Sequence, residues 1–133
     1  MKNFFIITAI VVASLLYFPN EESLKDKFEN DFLIGATINQ EDYQIVDEDA
    51  KAIKIVQKDF NAVTPENSMK WMHIHPEFNE FTFSNADKIV DFAKENEMYL
   101  LGHTLVWHNQ VPDYIYNIKD KSTFQDHIEK HIN

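Results

Sequence analysis

The chain's 133 residues suit one domain, and its 22 acidic against 12 basic residues give a formal net charge of −10 that repels phosphate backbones and anionic headgroups. Nucleic acid is therefore excluded as a partner, and the absence of cysteine excludes a disulfide framework or a thiolate metal site. With 44% hydrophobic and 14% aromatic residues the chain can fill a core or line an aromatic groove, and its dispersed acids read as a solvated surface.

In chain order, Lys2 precedes an apolar run from Phe4 to Phe18 broken only by Thr8 and Ser14. A basic start and a run of this length resemble a secretory signal peptide, and a membrane-spanning helix needs ~20 apolar residues. Val11-Val12-Ala13 is a weak cleavage context, and Phe18-Pro19 ends the run. The expected organisation is a leader over 1–18 and one domain over 19–133, secreted or periplasmic, with no membrane association after cleavage. An uncleaved anchor and a buried strand are the competing readings.

Leu24, Phe28 and Phe32 recur at helical spacing, with fraying expected near Asn30-Asp31, and Phe32 to Ile38 reads as a buried strand. Asp47 to Asp59 carries Ala50, Ile53, Val56 and, just beyond it, Phe60 at the spacing of an amphipathic helix. Asn61 to Thr64 is a second strand, ended by Pro65. Ser84 and Asp87 form a capping-box pattern before a helix whose apolar face is Ile89, Val90, Phe92 and Ala93. Tyr99 to His103 is a third strand. Ser122 and Gln125 form a second capping box, opening a helix with Phe124, Ile128 and Ile132 on one stripe. Three successive βα units favour a parallel sheet, doubly wound or closed as a barrel. The long connection from Pro65 to Phe83 follows a strand, where binding residues of α/β folds gather.

Two segments concentrate chemistry after strands. Thr64-Pro65-Glu66-Asn67-Ser68-Met69-Lys70-Trp71 sets a carboxylate, an amide, an amine and an indole within eight residues. That density of donors and acceptors suits a hydroxyl-rich ligand, with Trp71 offering a face to a pyranose ring. On these residues alone, a capped turn with solvated Glu66 and Lys70 takes the larger share. Gly102-His103-Thr104-Leu105-Val106-Trp107-His108-Asn109-Gln110-Val111-Pro112 clusters two His, a Trp and a Gln at the end of a strand, and Gly102 permits close backbone packing. A lone His there is more often a bonded core residue than a catalyst.

With only Gly35 and Gly102 there is no phosphate loop, so dinucleotide and nucleotide triphosphate motifs are excluded, and there is no Gly-x-Ser-x-Gly nucleophile elbow. His127 and His131 are four apart, but Glu129 is one position late for a metalloprotease helix. With no obvious third ligand for them or for His73 and His75, both pairs read as surface histidines, and no metal or cofactor is expected.

The two segments, taken from Phe60 to Trp71 and from Gly102 to Pro112, closely resemble glycoside hydrolase family 10, with Phe81-Thr82-Phe83, Ala86-Asp87 and Phe92-Ala93 in family-like order between them. The resemblance covers about residues 22 to 133. It implies the first three βα units of a (β/α)8 barrel, incomplete in this chain, and endo-hydrolysis of β-1,4-xylan with retention of configuration. It further implies that Glu66, Asn67 and Lys70 hydrogen-bond the sugar on the non-reducing side of the scissile bond. His103, Trp107 and Gln110 would line the same region, with Trp107 packing beneath the sugar. Where the family often has Trp after Gln-x-Pro, this chain has Pro112-Asp113-Tyr114, which bears on local sugar packing.

Retaining glycosidases need two carboxylates ~5–5.5 Å apart. In the family both follow later strands, the fourth and the seventh, whereas this chain ends in what resembles the third helix. No catalytic residue is assigned, Glu66 stays a binding residue, and residues 1–133 are expected to be inactive alone. The alternative is a non-catalytic protein that binds xylan or xylo-oligosaccharide.

Overall fold

The computed structural model describes residues 22–39 and 51–133. The apolar run Phe4–Phe18 lies outside them, as do Asp47 and Ala50 of the expected first amphipathic helix. No helix among the described residues is long and apolar enough to cross a membrane.

Three strands, β1 (Gly35–Ile38), β2 (Ala62–Pro65) and β3 (Tyr99–Leu100), form a parallel sheet in the order β1-β2-β3. The helices are α1 (Leu24–Lys27), α2 (Lys51–Asp59), α3 (Trp71–Ile74), α4 (Ser84–Glu95), α5 (Asp113–Tyr116) and α6 (Lys121–Ile132). Parallel neighbours joined through helices are the repeating unit of an α/β barrel, and this arc is the beginning of one.

Asn61 sets the register. Its side-chain Oδ1 accepts from Ile34 N at 2.7 Å, its own N donates to Ile34 O, and its carbonyl accepts from Tyr99 N at 2.8 Å. Gly35 thus pairs with Ala62, and Ala62 with Tyr99. Side chains alternate along β2, so Val63 and Pro65 are buried and Ala62 and Thr64 are half-buried.

Against this sheet α4 lays Ala86, Ile89, Phe92 and Ala93, a stripe at three- and four-residue spacing. Ile89 is 0% exposed, and together with Val63, Phe92, Met98, Ile38 and Val56 from α2 it forms the core. Burying a side chain of that size contributes about 1.5–3 kcal/mol. The helix stops at Asn96, whose Nδ2 and backbone N–H both donate to Phe92 O. Glu97 then turns left-handed (φ 53°), and Met98 N reaches back to Ala93 O at 2.8 Å.

Several expectations need correction. The first strand is Gly35–Ile38, not Phe32–Ile38, and it is not buried: Phe32 and Leu33 are exposed. Phe32 belongs instead to the turn after α1, stacked on Phe28 at 5.0 Å. β1 has β2 on one side and no strand among the described residues on the other, so only Ile38 is enclosed. The third strand is two residues long, although Leu101 N still bonds Val63 O. Neither capping box forms. Ser84 is already helical and Phe83 is the cap residue, with no side-chain bond. At α6 the cap is Asp120, whose Oδ2 accepts from Thr123 N at 2.8 Å and from the Ser122 and Thr123 hydroxyls. Those bonds hold the exposed Asp120 carboxyl down at about 2, Ser122 contributing most. A carboxylate at the positive end of a helix outcompetes a hydroxyl for the same amides.

Candidate functional site

In a parallel sheet every strand delivers its C-terminal end to the same rim, so the residues just after β2 and β3 are neighbours by construction. Glu66 and Asn67 follow β2 directly, and the β2–β1 ladder runs one bond further through Glu66 N to Ile38 O at 2.8 Å. Lys70 is the N-cap residue of α3. Gln110 adopts φ 53°, and its carbonyl accepts from Met72 N at 3.1 Å, which ties the loop after β3 to α3.

Four of the six expected residues converge on this rim. Asn67 Oδ1 accepts from Lys70 Nζ at 2.9 Å and from Gln110 Nε2 at 3.2 Å. Lys70 Nζ also lies 5.0 Å from the centre of the Trp107 ring, a cation over an aromatic face. Lys70 is only 8% exposed, so the solvated-turn reading fails for it. An ammonium is dehydrated only where fixed partners replace water, and Asn67 and Trp107 are those partners. Gln110 Oε1 is buried without a partner, an acceptor still to be satisfied.

Glu66 is exposed and joins the group from the side, its Oε2 accepting from Asn39 Nδ2 at 3.4 Å. Asn39 was not singled out from the sequence. Its place immediately after β1 is the signal that would have found it, since that position reaches the same rim. His103 is exposed beside the cis His103–Thr104 peptide, with no hydrogen bond or ring contact among the described residues. It is the one expected residue that the structure does not bring into the cluster.

Trp71 is not a sugar platform. It is 2% exposed, lies flat on His131 with centroids 4.2 Å apart, and donates from Nε1 to Tyr114 OH at 3.2 Å. The indole with an open face is Trp107. Tyr114 likewise turns inward, donating to His75 O at 3.2 Å. Burial pushes its hydroxyl pKa up, partly offset by the Trp71 N–H and reinforced by Glu77, so the group stays a neutral donor.

The surface-histidine reading also fails for His75, which is 0% exposed, and His127 and His131 are half-buried. Gly102 is not required for packing, since a Cβ there would make an ordinary 3.5 Å contact with Met69 Sδ. Among the described residues no group of three or more His, Cys, Asp or Glu is placed to hold a metal ion. An apolar cleft of about 600 Å³ is lined by Trp71, Val106, Trp107, Val111 and Phe124 among others. It shares Trp107 with the rim but none of Glu66, Asn67, Lys70 or Gln110, so the polar chemistry is elsewhere.

The rim therefore presents an ammonium, carboxamides and a carboxylate beside an open indole. Such a set exchanges hydrogen bonds with hydroxyls, each of which donates and accepts, while the ring packs against C–H faces. The chain is 40% identical over 111 residues to a β-1,4-xylanase of Dictyoglomus thermophilum, covering 81% of this chain and 30% of that protein. It is 37% identical over 115 residues to endo-1,4-β-xylanase A of Caldicellulosiruptor saccharolyticus, covering 83% and 32%. Xylanase 10B of Thermotoga petrophila RKU-1, solved in complex with xylobiose, superposes with a TM-score of 0.78 at 39% identity, covering 87% of this chain and 36% of that one. The chain thus spans about a third of the length of these relatives. The family model for glycosyl hydrolase family 10 matches residues 23–133, and the chain belongs to that family.

Proposed function

We propose that this chain supplies the sugar-binding half of a site for endo-hydrolysis of β-1,4-xylan, on the non-reducing side of the scissile bond, and that residues 1–133 are inactive alone. The observation that carries the reading is Lys70, buried between the Asn67 carboxamide and the Trp107 face, with Gln110 bonded to the same Asn67 oxygen. A fixed ammonium and fixed amides recognise a pyranose through its hydroxyls, and Trp107 offers the apolar face beneath it. His103, exposed on the same rim, is assigned a contact made only when sugar is present. The xylanase relatives, and xylobiose in one of the similar structures, support xylan or xylo-oligosaccharide as the ligand.

Retaining hydrolysis divides labour between a carboxylic acid and a carboxylate nucleophile ~5–5.5 Å apart. Among the six rim residues Glu66 is the one acid, and it accepts from the Asn39 amide, so a binding role suits it and no reacting pair is assigned. A ring hydroxyl that donates to a protein oxygen, such as those of Glu66 and Asn67, bonds more strongly as positive charge develops on the sugar, while Lys70 fixes the ring's orientation.

The test is a titration with xylotriose, following Trp fluorescence, paired with a reducing-sugar assay on xylan. Saturable quenching with no sugar release is expected. Release that disappears in Glu66→Ala would overturn the inactivity, and an absence of any saturable signal would overturn the half-site. Export is proposed on the pattern of Lys2 followed by Phe4–Phe18 alone; N-terminal sequencing of the protein from the culture medium tests it.

A further inference from the structure

Behind Trp71 sits a second cluster for which sugar binding has no use. His131 of α6 lies flat on the indole, 4° from parallel, and its Nε2 is 2.9 Å from Leu105 O. A carbonyl only accepts, so Nε2 carries the ring proton and Nδ1 is the bare nitrogen. That Nδ1 is buried with no partner. His75 repeats the arrangement, with Nε2 3.0 Å from Phe78 O, a buried Nδ1 without a partner, and its ring centre 5.6 Å from that of His131. His127, one turn back on α6, packs on Phe78 at 4.5 Å and has a third such Nδ1.

A second proton on any of these rings would create an N–H with no acceptor. The charge would gain something from the indole face, but it would be stripped of water and, on His131, set against His75. His131 shows the balance: its pKa lies below the usual histidine value, burial first, with the Leu105 carbonyl opposing and His75 adding to the depression. The other groups facing the cluster do not compensate. Tyr114 is a neutral hydroxyl, Lys130 is itself a cation held over Phe78 and bonded to Asn79, and Glu77 acts on Tyr114. No carboxylate makes an ion pair with any of the three imidazoles among the described residues.

Trp71 is joined directly to Lys70, and the next residue, Met72, holds the Gln110 carbonyl. A change in the seat of Trp71 therefore reaches both Lys70 and Gln110. We propose that neutral His131 is a positioning residue for the rim, acting through Trp71, and that protonating His131 releases α6 from the indole and loosens Lys70. The sugar role of Lys70 rests on the function proposed above; the coupling itself does not. The sign follows from the folded state's preference for a neutral His131 ring, whose buried Nδ1 has no partner. The docked state is complete above the ordinary histidine range and is lost as pH falls below it.

The experiment is an NMR titration of the sugar-free chain from about pH 8 to about pH 5. Trp107 beneath Lys70 shifts the lysine ε-methylene signals upfield, so those signals report the seat of Lys70. The expected result is loss of most of that upfield shift in step with His131 titration, while the Ile89 methyl signals stay put. In His131→Phe, which keeps a flat ring on Trp71 but cannot titrate, the Lys70 signals are expected to be independent of pH. Lys70 signals that ignore the His131 titration would overturn the proposal, as would an unchanged pH profile in His131→Phe. Collapse of the Ile89 methyls together with the Lys70 signals would assign the effect to general acid unfolding and overturn it equally. A xylotriose titration at both ends of the range separates the two ideas. Absence of binding at both, with the Lys70 profile intact, sinks the sugar reading and leaves the coupling standing.

Discussion

Residues 51–100 close a core around Val63, Ile89 and Phe92, whereas among residues 101–133 only Pro112 and Ile115 are buried, and Leu105, Val106, Trp107, Tyr116, Phe124 and Ile132 are exposed. The first region is held by apolar area removed from water, at about 25 cal/mol per Å², a force that needs no particular direction. In the second region α6 has no buried residue at all. It stays in place through His131 on Trp71, His131 to Leu105 O, and Lys130 to Asn79 and over Phe78. Such contacts depend on orientation and on protonation, so the region that supplies Trp107 and Gln110 to the rim is also the one that a chemical change can move. Residues 51–100 supply rigidity, and residues 101–133 supply addressable geometry.

The sharpest way to break this contrast is to hollow the core. Ile89→Ala removes a fully buried side chain from the centre of α4 and is expected to cost about 2–5 kcal/mol, seen as a lower urea midpoint. A cost near zero would mean that the core does not hold the sheet. Lys70→Met keeps the stem and deletes the charge. It is expected to weaken xylotriose binding by about 1.5–3 kcal/mol, or tenfold and more, with little change in the urea midpoint. Equal losses in both measurements would make Lys70 a structural residue.

Smaller effects test the second region. Tyr114→Phe leaves the buried Trp71 Nε1 without an acceptor and should cost about 1–2 kcal/mol, read by calorimetry and by the indole N–H resonance. Asp120→Ala removes the exposed cap and is expected to cost α6 some hydrogen-exchange protection at Thr123 while the core amides are unaffected. Because the folded Asp120 carboxyl is depressed to about 2 from 3.8, its contribution is present above the unfolded value and is lost as pH falls through the folded one. Protection at Thr123 that is already lost near neutral pH in the wild type would contradict the cap.

Much of the first region was legible because burial writes itself into spacing. Ile89, Phe92 and Ala93 recur at helical intervals and do face the sheet, and Val56 faces inward from α2 as its period required. Both capping boxes misled because each helix starts earlier than the pattern implies: Ser84 is already helical behind Phe83, and Asp120 caps α6 through the Thr123 amide while accepting the Ser122 hydroxyl. In the rim, the two motifs pointed to Asn67, Lys70, Trp107 and Gln110, and the fold does bring these four into contact. The role of Trp71 was not legible, since an indole beside a lysine looks the same in sequence whether it faces a sugar or a histidine sixty residues away.

The family, the alternation of strand and helix, and the polar residues that follow the strands are legible along the chain, because periodicity and motif are local properties. The tertiary fold is what sets Asn67 between Lys70 and Gln110, joins Asn39 to Glu66, and packs His75 and His131 on Trp71. Those contacts link residues up to sixty positions apart, and their partners are chosen by the register that Asn61 imposes on the sheet and by the seat of α6.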